Sequence, residues 1–179
     1  MIGSDNMTEF ILVRHGEPTY KELRDLGFKG HGFSLAPLTE KGIQEVKEIS
    51  KNEVFVNSDI LISSPYTRAI QTASIIANEY NMDINVEILL HEWICDNYNN
   101  YSTTEEFLYN IKKAKEEWLL SQNNADFIYS NNFESFENVR KRALSVLEKY
   151  CGYDKVIVVA HGVLISMLFN EKVRLHTGS

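Results

Sequence analysis

The sequence predicts an α/β fold: a three-layer α/β/α sandwich with a mostly parallel sheet, helices on both faces and a small inserted helical cap. Three observations carry that prediction. Short apolar runs rich in β-branched residues alternate along the chain with longer stretches of helical periodicity, the order that lays down parallel strands joined by crossover helices. Most of these runs are almost continuously apolar, as strands buried on both faces are. The 179 residues suffice for one domain with a substantial core, because folded chains of this size bury roughly 70% of their extended surface. A single domain is therefore expected over residues 1–179, with the cap inserted at about 97–132.

Taken in order, Phe10 to Val13 (FILV) is the first strand, Asp59 to Ser63 (DILIS) the second, Asn85 to Leu90 (NVEILL) the third and Lys155 to Ala160 (KVIVVA) the fourth. Helices are expected between them. Thr39 is placed to cap a helix running to about Ser50, with Glu40 near its positive end. Ser64 followed by Pro65 reads as a cap with proline at the first helical position, after which Ala69, Ala73 and Ile76 form an apolar stripe toward the sheet. Thr104 to about Gln122 supplies the inserted helix. Ser135 to about Tyr150 supplies another, whose Phe136, Val139, Ala143, Val146 and Leu147 recur at helical spacing. The polar, Asn- and Tyr-rich stretch 97–132 is expected to cover the sheet edge. Gly27, Gly30 and Gly32 read as a mobile loop, since they match neither GxGxxG nor the Walker pattern.

Eighteen Lys and Arg against 25 Asp and Glu give a formal charge of −7, which disfavours nucleic acid or an anionic membrane as the main partner. Positive charge at a site must then be local. The most apolar segment, VIVVAHGVLISMLF, carries a histidine and falls short of the roughly 20 residues that span a bilayer. The opening MIGSDNMTEF lacks the basic-then-apolar pattern of a signal peptide, so a cytoplasmic location is expected. Cys95 and Cys151 form neither a CxxC pair nor a metal-type spacing and read as plain thiols in a reducing compartment.

Ligands of open parallel sheets bind beyond the carboxyl ends of the strands, so the residues just past each strand are the candidates. The first strand delivers Arg14, His15, Gly16 and Glu17; the second leads to Ser64 and, one turn into a helix, Arg68. The third ends near His91 and Glu92, and the fourth delivers His161 and Gly162. A lone histidine at a strand end is usually a satisfied polar residue. Cations and imidazoles gathered at one edge, twice followed by the glycine that lets backbone approach a ligand closely, call for another explanation.

Two guanidiniums offer planar, bidentate binding to phosphate oxygens, and the helix after Ser64 adds the positive end of its dipole. A phosphoryl group is the expected occupant. A cation such as Arg68 in a first helical turn is unfavourable unless an anion joins it. A neutral imidazole here can attack phosphorus and form a phosphohistidine, splitting one hard displacement into two; the residues alone leave His15 and His161 both open as nucleophile. Glu92 is the candidate proton donor to the leaving alkoxide, a contribution of about 10²- to 10⁴-fold. HEWIC, His91 to Cys95, begins like the zinc motif HExxH but ends in cysteine, so no metal site is expected. For Arg14 and His15 to meet one phosphate the first strand must end at about Val13, because a continuing strand sends successive side chains to opposite faces.

LVRHGE (Leu12 to Glu17), PLTEKGIQ (Pro37 to Gln44), SSPYTRAIQTA (Ser63 to Ala73) and VVAHGVLISML (Val158 to Leu168), with Glu134, Ser135 and Arg142 between the last two, occur in the order found in the histidine phosphatase superfamily. The chain resembles that family, which includes phosphoglycerate mutases and many small phosphatases, from about Phe10 to its carboxyl end. The resemblance implies that His15 is phosphorylated, that Arg14, Arg68 and His161 hold the phosphoryl group, and that Glu92 donates the proton. It implies no metal or organic cofactor and a small phosphorylated substrate as partner. Gly162, Tyr20 and Lys21 complete the expected substrate contacts; Tyr20 and Lys21 stand where mutase-like relatives carry an aromatic residue and an asparagine.

The expected activity is that of a metal-independent phosphomonoesterase acting on a small metabolite. A phosphoglycerate mutase shares every catalytic residue named above and is the alternative; a catalytically silent phosphate-binding regulatory protein is the further one. A mutase must keep its phosphohistidine from water. Lysine at position 21, and an ending at His176 to Ser179 where similar chains continue, favour hydrolysis. Specificity is expected from Pro18 to Ala36 and from 97–132.

Overall fold

The computed structural model describes residues 7–122, 124 and 126–169. Its strands β1 (Glu9–Arg14), β2 (Ile60–Ser63), β3 (Ile84–Val86) and β4 (Lys155–Ala160) form one parallel sheet in the order β1, β4, β2, β3. The helices are α1 (Lys21–Asp25), α2 (Glu40–Ile49), α3 (Thr67–Tyr80), α4 (Thr104–Ser121), α5 (Phe136–Lys149) and α6 (Gly162–Leu168).

Side chains alternate along a strand, and each face needs its own cover. Ile11, Val13, Leu61, Ile157 and Val159 join Val46 of α2 and Ala69, Ala73 and Ile76 of α3 in one core layer. Leu12, Ile62, Val156 and Val158 join Phe136, Val139, Ala143 and Val146 of α5 and Leu164 of α6 in the other. The result is the three-layer α/β/α arrangement expected. The caps at Thr39 and Ser135 also form as expected: Thr39 Oγ1 accepts the Gly42 N–H at 2.9 Å, and Ser135 Oγ the Asn138 N–H at 3.2 Å. Helix α4 begins on a full capping box between Thr103 and Glu106.

Four local expectations are corrected. Strand β1 runs one residue further, through Arg14, and ends there. Strand β3 stops at Val86, and a 3-10 turn at Ile88–Leu90 carries the chain to His91; the carbonyls of Leu89 and His91 are taken by the Arg142 guanidinium instead of a ladder. Helix α3 starts at Thr67, not beside Pro65, and its flanking Tyr66 makes no side-chain cap. The Ser64 hydroxyl lies 2.6 Å from His161 Nε2 and only 3.4 Å from the Tyr66 N–H. The glycine-rich stretch is built rather than open: it holds α1 and a 3-10 turn at Gly30–Leu35, with Gly30 at φ +51° against the backbone of Asn99. The expectation drawn from His176 to Ser179 lies outside the described residues.

Candidate active site

The carboxyl ends of the strands open onto a cavity of about 360 Å³ whose lining includes Arg14, His15, Arg68 and Glu92. Such a volume lies near the lower end of the roughly 300–1,000 Å³ typical of small-molecule sites. The end of β1 explains how these four side chains come together. Its ladder to β4 continues one bond past the strand, the His15 N–H reaching Ala160 O at 3.1 Å, and the next N–H, of Gly16, turns to Thr72 Oγ1 on α3 at 3.1 Å. That turn requires glycine: a Cβ at Gly16 would lie 2.8 Å from the Gly42 carbonyl oxygen and from Val46. Arg14 and His15 thus line one cavity although β1 includes Arg14.

The two partners of His15 fix its tautomer. Nδ1 lies 2.8 Å from the carbonyl oxygen of Gly16, which only accepts, so the ring proton is on Nδ1. Nε2 then carries the lone pair, and the Arg68 Nε–H donates to it at 3.1 Å. Burial, with the charges of Arg68 and Arg14, lowers the His15 pKa to about 4 against a pull upward from the Gly16 carbonyl. The imidazole is neutral at physiological pH, as a nucleophile must be.

Arg68 is itself buried, reaches the Phe33 carbonyl at 3.4 Å and lies over the Tyr66 ring at 5.1 Å. Neither contact neutralises it. The Arg14 guanidinium has no acceptor or anion among the described residues. Two uncompensated guanidiniums beside a neutral imidazole in a chain of net charge −7 are the local positive field that an oxyanion needs.

Glu92 enters from the turn after Ile88–Leu90. Its carboxyl accepts the N–H groups of Trp93 at 2.8 Å, Leu164 at 3.2 Å and Val163 at 3.3 Å. Burial raises its pKa, opposed by those three N–H groups and by Arg68. A carboxyl with a raised pKa is the one able to deliver a proton near neutrality.

The remaining candidates lie elsewhere. His161 is fully buried behind His15, with ring centroids 5.1 Å apart, and does not line the cavity. Its Nε2 faces Ser64, its Nδ1 has no partner among the described residues, and burial lowers its pKa well below the ordinary value. Gly162 packs against Arg14, where a Cβ would lie 3.4 Å from Nε. Tyr20 lines the cavity; Lys21 does not, being exposed and paired with Asp25. Glu17 is likewise turned away to Lys41 and Thr39.

Sequence reasoning missed Ser64 as the partner of His161, Arg24 as a cation in the cavity wall, and Tyr66, Phe33 and Tyr101 as its aromatic lining. Only Ser64 had a local signal, a serine at a strand end. Among the described residues no helix is long and apolar enough to cross a membrane, and no group of three His, Cys, Asp or Glu could hold a metal ion. Cys95 and Cys151 are both free thiols, the first buried in the cavity wall with its pKa pushed up to about 12.

The chain is similar in sequence and fold to known proteins. The family model described as histidine phosphatase superfamily (branch 1) matches residues 10–177. A Bacillus subtilis protein named uncharacterized phosphatase PhoE is 29% identical over 168 residues, 92% of this chain and 77% of that protein. The phosphoserine phosphatase of Entamoeba histolytica, solved with 3-phosphoglyceric acid, aligns over 90% of this chain and 78% of that one at 27% identity and a TM-score of 0.63. A phosphoglycerate mutase from Bacillus anthracis shares the fold, with a TM-score of 0.66 at 19% identity over 96% of this chain and 84% of that one.

Proposed function

The chain belongs to the histidine phosphatase superfamily, and from that premise we propose that it is a metal-independent phosphomonoesterase acting through phosphohistidine on a small phosphorylated metabolite in the cytoplasm. The observation that carries the reading is the fixed state of His15: a proton on Nδ1 held by Gly16, and an Nε2 lone pair directed beside two arginines.

The substrate phosphoryl group is bound by Arg14 and takes the Arg68 Nε–H that Nε2 of His15 now accepts. Nε2 attacks phosphorus, the bond from phosphorus to the ester oxygen breaks, and the Glu92 carboxyl gives its proton to that oxygen. Water then attacks the phosphohistidine and loses a proton to the Glu92 carboxylate. The P–N bond breaks, inorganic phosphate leaves, and both groups return to their starting states. The Nδ1 of neutral, fully buried His161, which has no partner among the described residues, supports a donor role toward the phosphoryl group when Ser64 donates to Nε2.

The cavity is larger than a phosphoryl group needs, and its outer wall of Tyr20, Phe33 and Tyr101 supports a substrate with a body to be gripped. Phosphoserine phosphatase and phosphoglycerate mutase among the similar structures act on phosphorylated three-carbon acids by name, which places small organic phosphates first in a screen. The test is hydrolysis of an aryl phosphate in the presence of chelator, with acid quenching to trap labelled protein. An acid-labile phosphoenzyme on His15 is expected; labelling of another residue, or metal-dependent turnover, overturns the reading. A mutase would isomerise 3-phosphoglycerate, primed with a bisphosphoglycerate, faster than it released phosphate, and a silent binding protein would do neither.

A further inference from the structure

We propose that Arg142, on α5 and outside the cavity lining, is a positioning residue that acts through Glu134 to hold the Glu92 carboxyl at the leaving-group side of the site. The inference rests on the assignment of Glu92 as proton donor.

Five hydrogen bonds account for the five N–H donors of this guanidinium. Nε reaches Glu134 Oε1 at 2.7 Å and Nη2 reaches Oε2 at 3.0 Å, a bidentate pair with both side chains only 10% exposed. Nη1 takes the carbonyls of Leu89 at 2.6 Å and His91 at 2.7 Å, and Nη2 also takes that of Glu92 at 3.4 Å. One side chain therefore binds the main chain just before Glu92, at Leu89 and His91, and at Glu92 itself.

Glu134 extends the grip past Glu92. Its Oε2 accepts the Ile94 N–H at 3.2 Å, its own N–H donates to Ile94 O at 2.9 Å, and its carbonyl accepts the Trp93 indole N–H at 2.6 Å. The segment has left strand β3 and has no ladder to hold it, so this pair replaces the sheet as its anchor. Among the described residues the carboxyl of Glu92 is held at short range by main-chain N–H groups, of Trp93 next to it and of Val163 and Leu164 on α6. Its position is then set by where the backbone of 89–94 lies against the start of α6.

Lysine would keep the charge but not the planar fork, and it lacks the donors to span Glu134 and three carbonyls together. Arg142→Lys therefore separates geometry from charge. A displaced donor matters only where the leaving oxygen needs its proton, so the expected loss depends on the leaving group. A merely structural residue would slow every substrate alike.

The experiment measures phosphoenzyme formation by rapid quench for wild type, Arg142→Lys, Glu134→Gln and Glu92→Gln, on 4-nitrophenyl phosphate and on glycerol 2-phosphate. Melting is followed in parallel, and rates are taken below each variant's transition and corrected for the folded fraction. Arg142→Lys and Glu134→Gln are expected to lose about 10- to 100-fold on the alkyl ester and less than about threefold on the nitrophenyl ester. Equal losses on both substrates, or no loss on either, overturn the proposal. If Glu92→Gln steepens the dependence on leaving group while Arg142→Lys does not, the positioning role alone falls; if Glu92→Gln does not steepen it, the donor assignment falls and takes the positioning role with it.

Discussion

The inner and outer ends of the cavity are built by different means. At the inner end His15 and His161 stand just past the adjacent paired strands β1 and β4, and Arg68 lies on a helix packed against the same sheet. At the outer end Arg24, Phe33, Tyr101 and Thr104 come from α1, a 3-10 turn, the loop before α4 and the start of α4, joined by a few contacts across long sequence separations. The Gly30 N–H donates to Tyr101 O at 2.9 Å, Phe33 packs on Tyr20 and Tyr101, and Arg24 reaches Thr104 Oγ1 at 3.3 Å. Chemistry placed on the sheet and recognition placed on loops can change independently, and the two ends should respond separately to mutation.

The largest effects belong to the inner end. His15→Ala is expected to abolish the trapped phosphoenzyme and lower turnover on the order of 10⁴-fold or more, because it removes the Nε2 lone pair held beside Arg68 that attacks phosphorus. Wild-type turnover by that variant would break the comparison at its root. Glu92→Gln is next, at about 10²- to 10⁴-fold for alkyl esters and much less for activated aryl esters, read from rates across leaving groups.

A stability measurement reaches the same end without substrate. His15 has its pKa lowered from 6.5 to about 4 in the fold. Below pH 6.5 the unfolded chain binds the proton and the native state does not, so stability is fully present above that value and drains away as pH falls toward 4. The shift corresponds to no more than about 3 kcal/mol. Urea titrations at pH 7.5 and pH 4.5 should show wild type losing more stability than His15→Ala; equal losses would mean that His15 titrates normally and is not held as described.

The two ends also differ in how far they could be read from the sequence. Apolar strands announce themselves by composition, and topology puts the residues just past a parallel strand at the ligand edge, so Arg14 and His15 are legible as cavity residues. His161, read with them as a phosphoryl ligand, is buried behind His15, and Glu92 reaches the cavity from the turn beyond β3 rather than from a strand end. The layers and most helix bounds came from periodicity and caps. Ser64 misled because a serine before a proline suits a helix cap, while its hydroxyl is engaged by a histidine 97 positions away. Lys21 misled in the same manner: alignment with an asparagine position pointed inward, but a short exposed helix turns Lys21 to Asp25 and brings Arg24 to the wall. Pairings such as Gly30 with Tyr101 have no periodicity and no motif, only a distant partner.

Gly30→Ala tests that pairing. Its φ of +51° disfavours any side chain, and a Cβ would lie 2.5 Å from the Asn99 carbonyl oxygen, a backbone atom that cannot swing aside. A cost of roughly 1–3 kcal/mol is expected in stability. If the two ends are separable, KM for ring-bearing phosphate esters should rise more than kcat falls. A drop in kcat at constant KM would show the loop junction reaching into the chemistry, for which the contact of Arg68 with the Phe33 carbonyl is the available route.

The smallest expected effect concerns Arg24, whose guanidinium is exposed, lies 5.7 Å from the centroid of the Tyr20 ring and forms no ion pair among the described residues. Asp96, a carboxylate that also lines the cavity, is already engaged by the N–H groups of Tyr98, Asn100 and Tyr101 at 2.8, 2.7 and 3.1 Å. An anionic group on the substrate would thus find Arg24 available. Solvent screening limits that attraction to about 1 kcal/mol, or up to about fivefold in KM. Arg24→Gln should therefore raise KM modestly for a carboxylate-bearing ester such as 3-phosphoglycerate, leave KM for phenyl phosphate nearly unchanged, and leave kcat for both alone; added salt should erase the difference. Equal rises in KM for the two esters would assign Arg24 instead to bracing α1 against Thr104, and Arg24→Lys, which keeps the charge but not that reach, would then behave like Arg24→Gln.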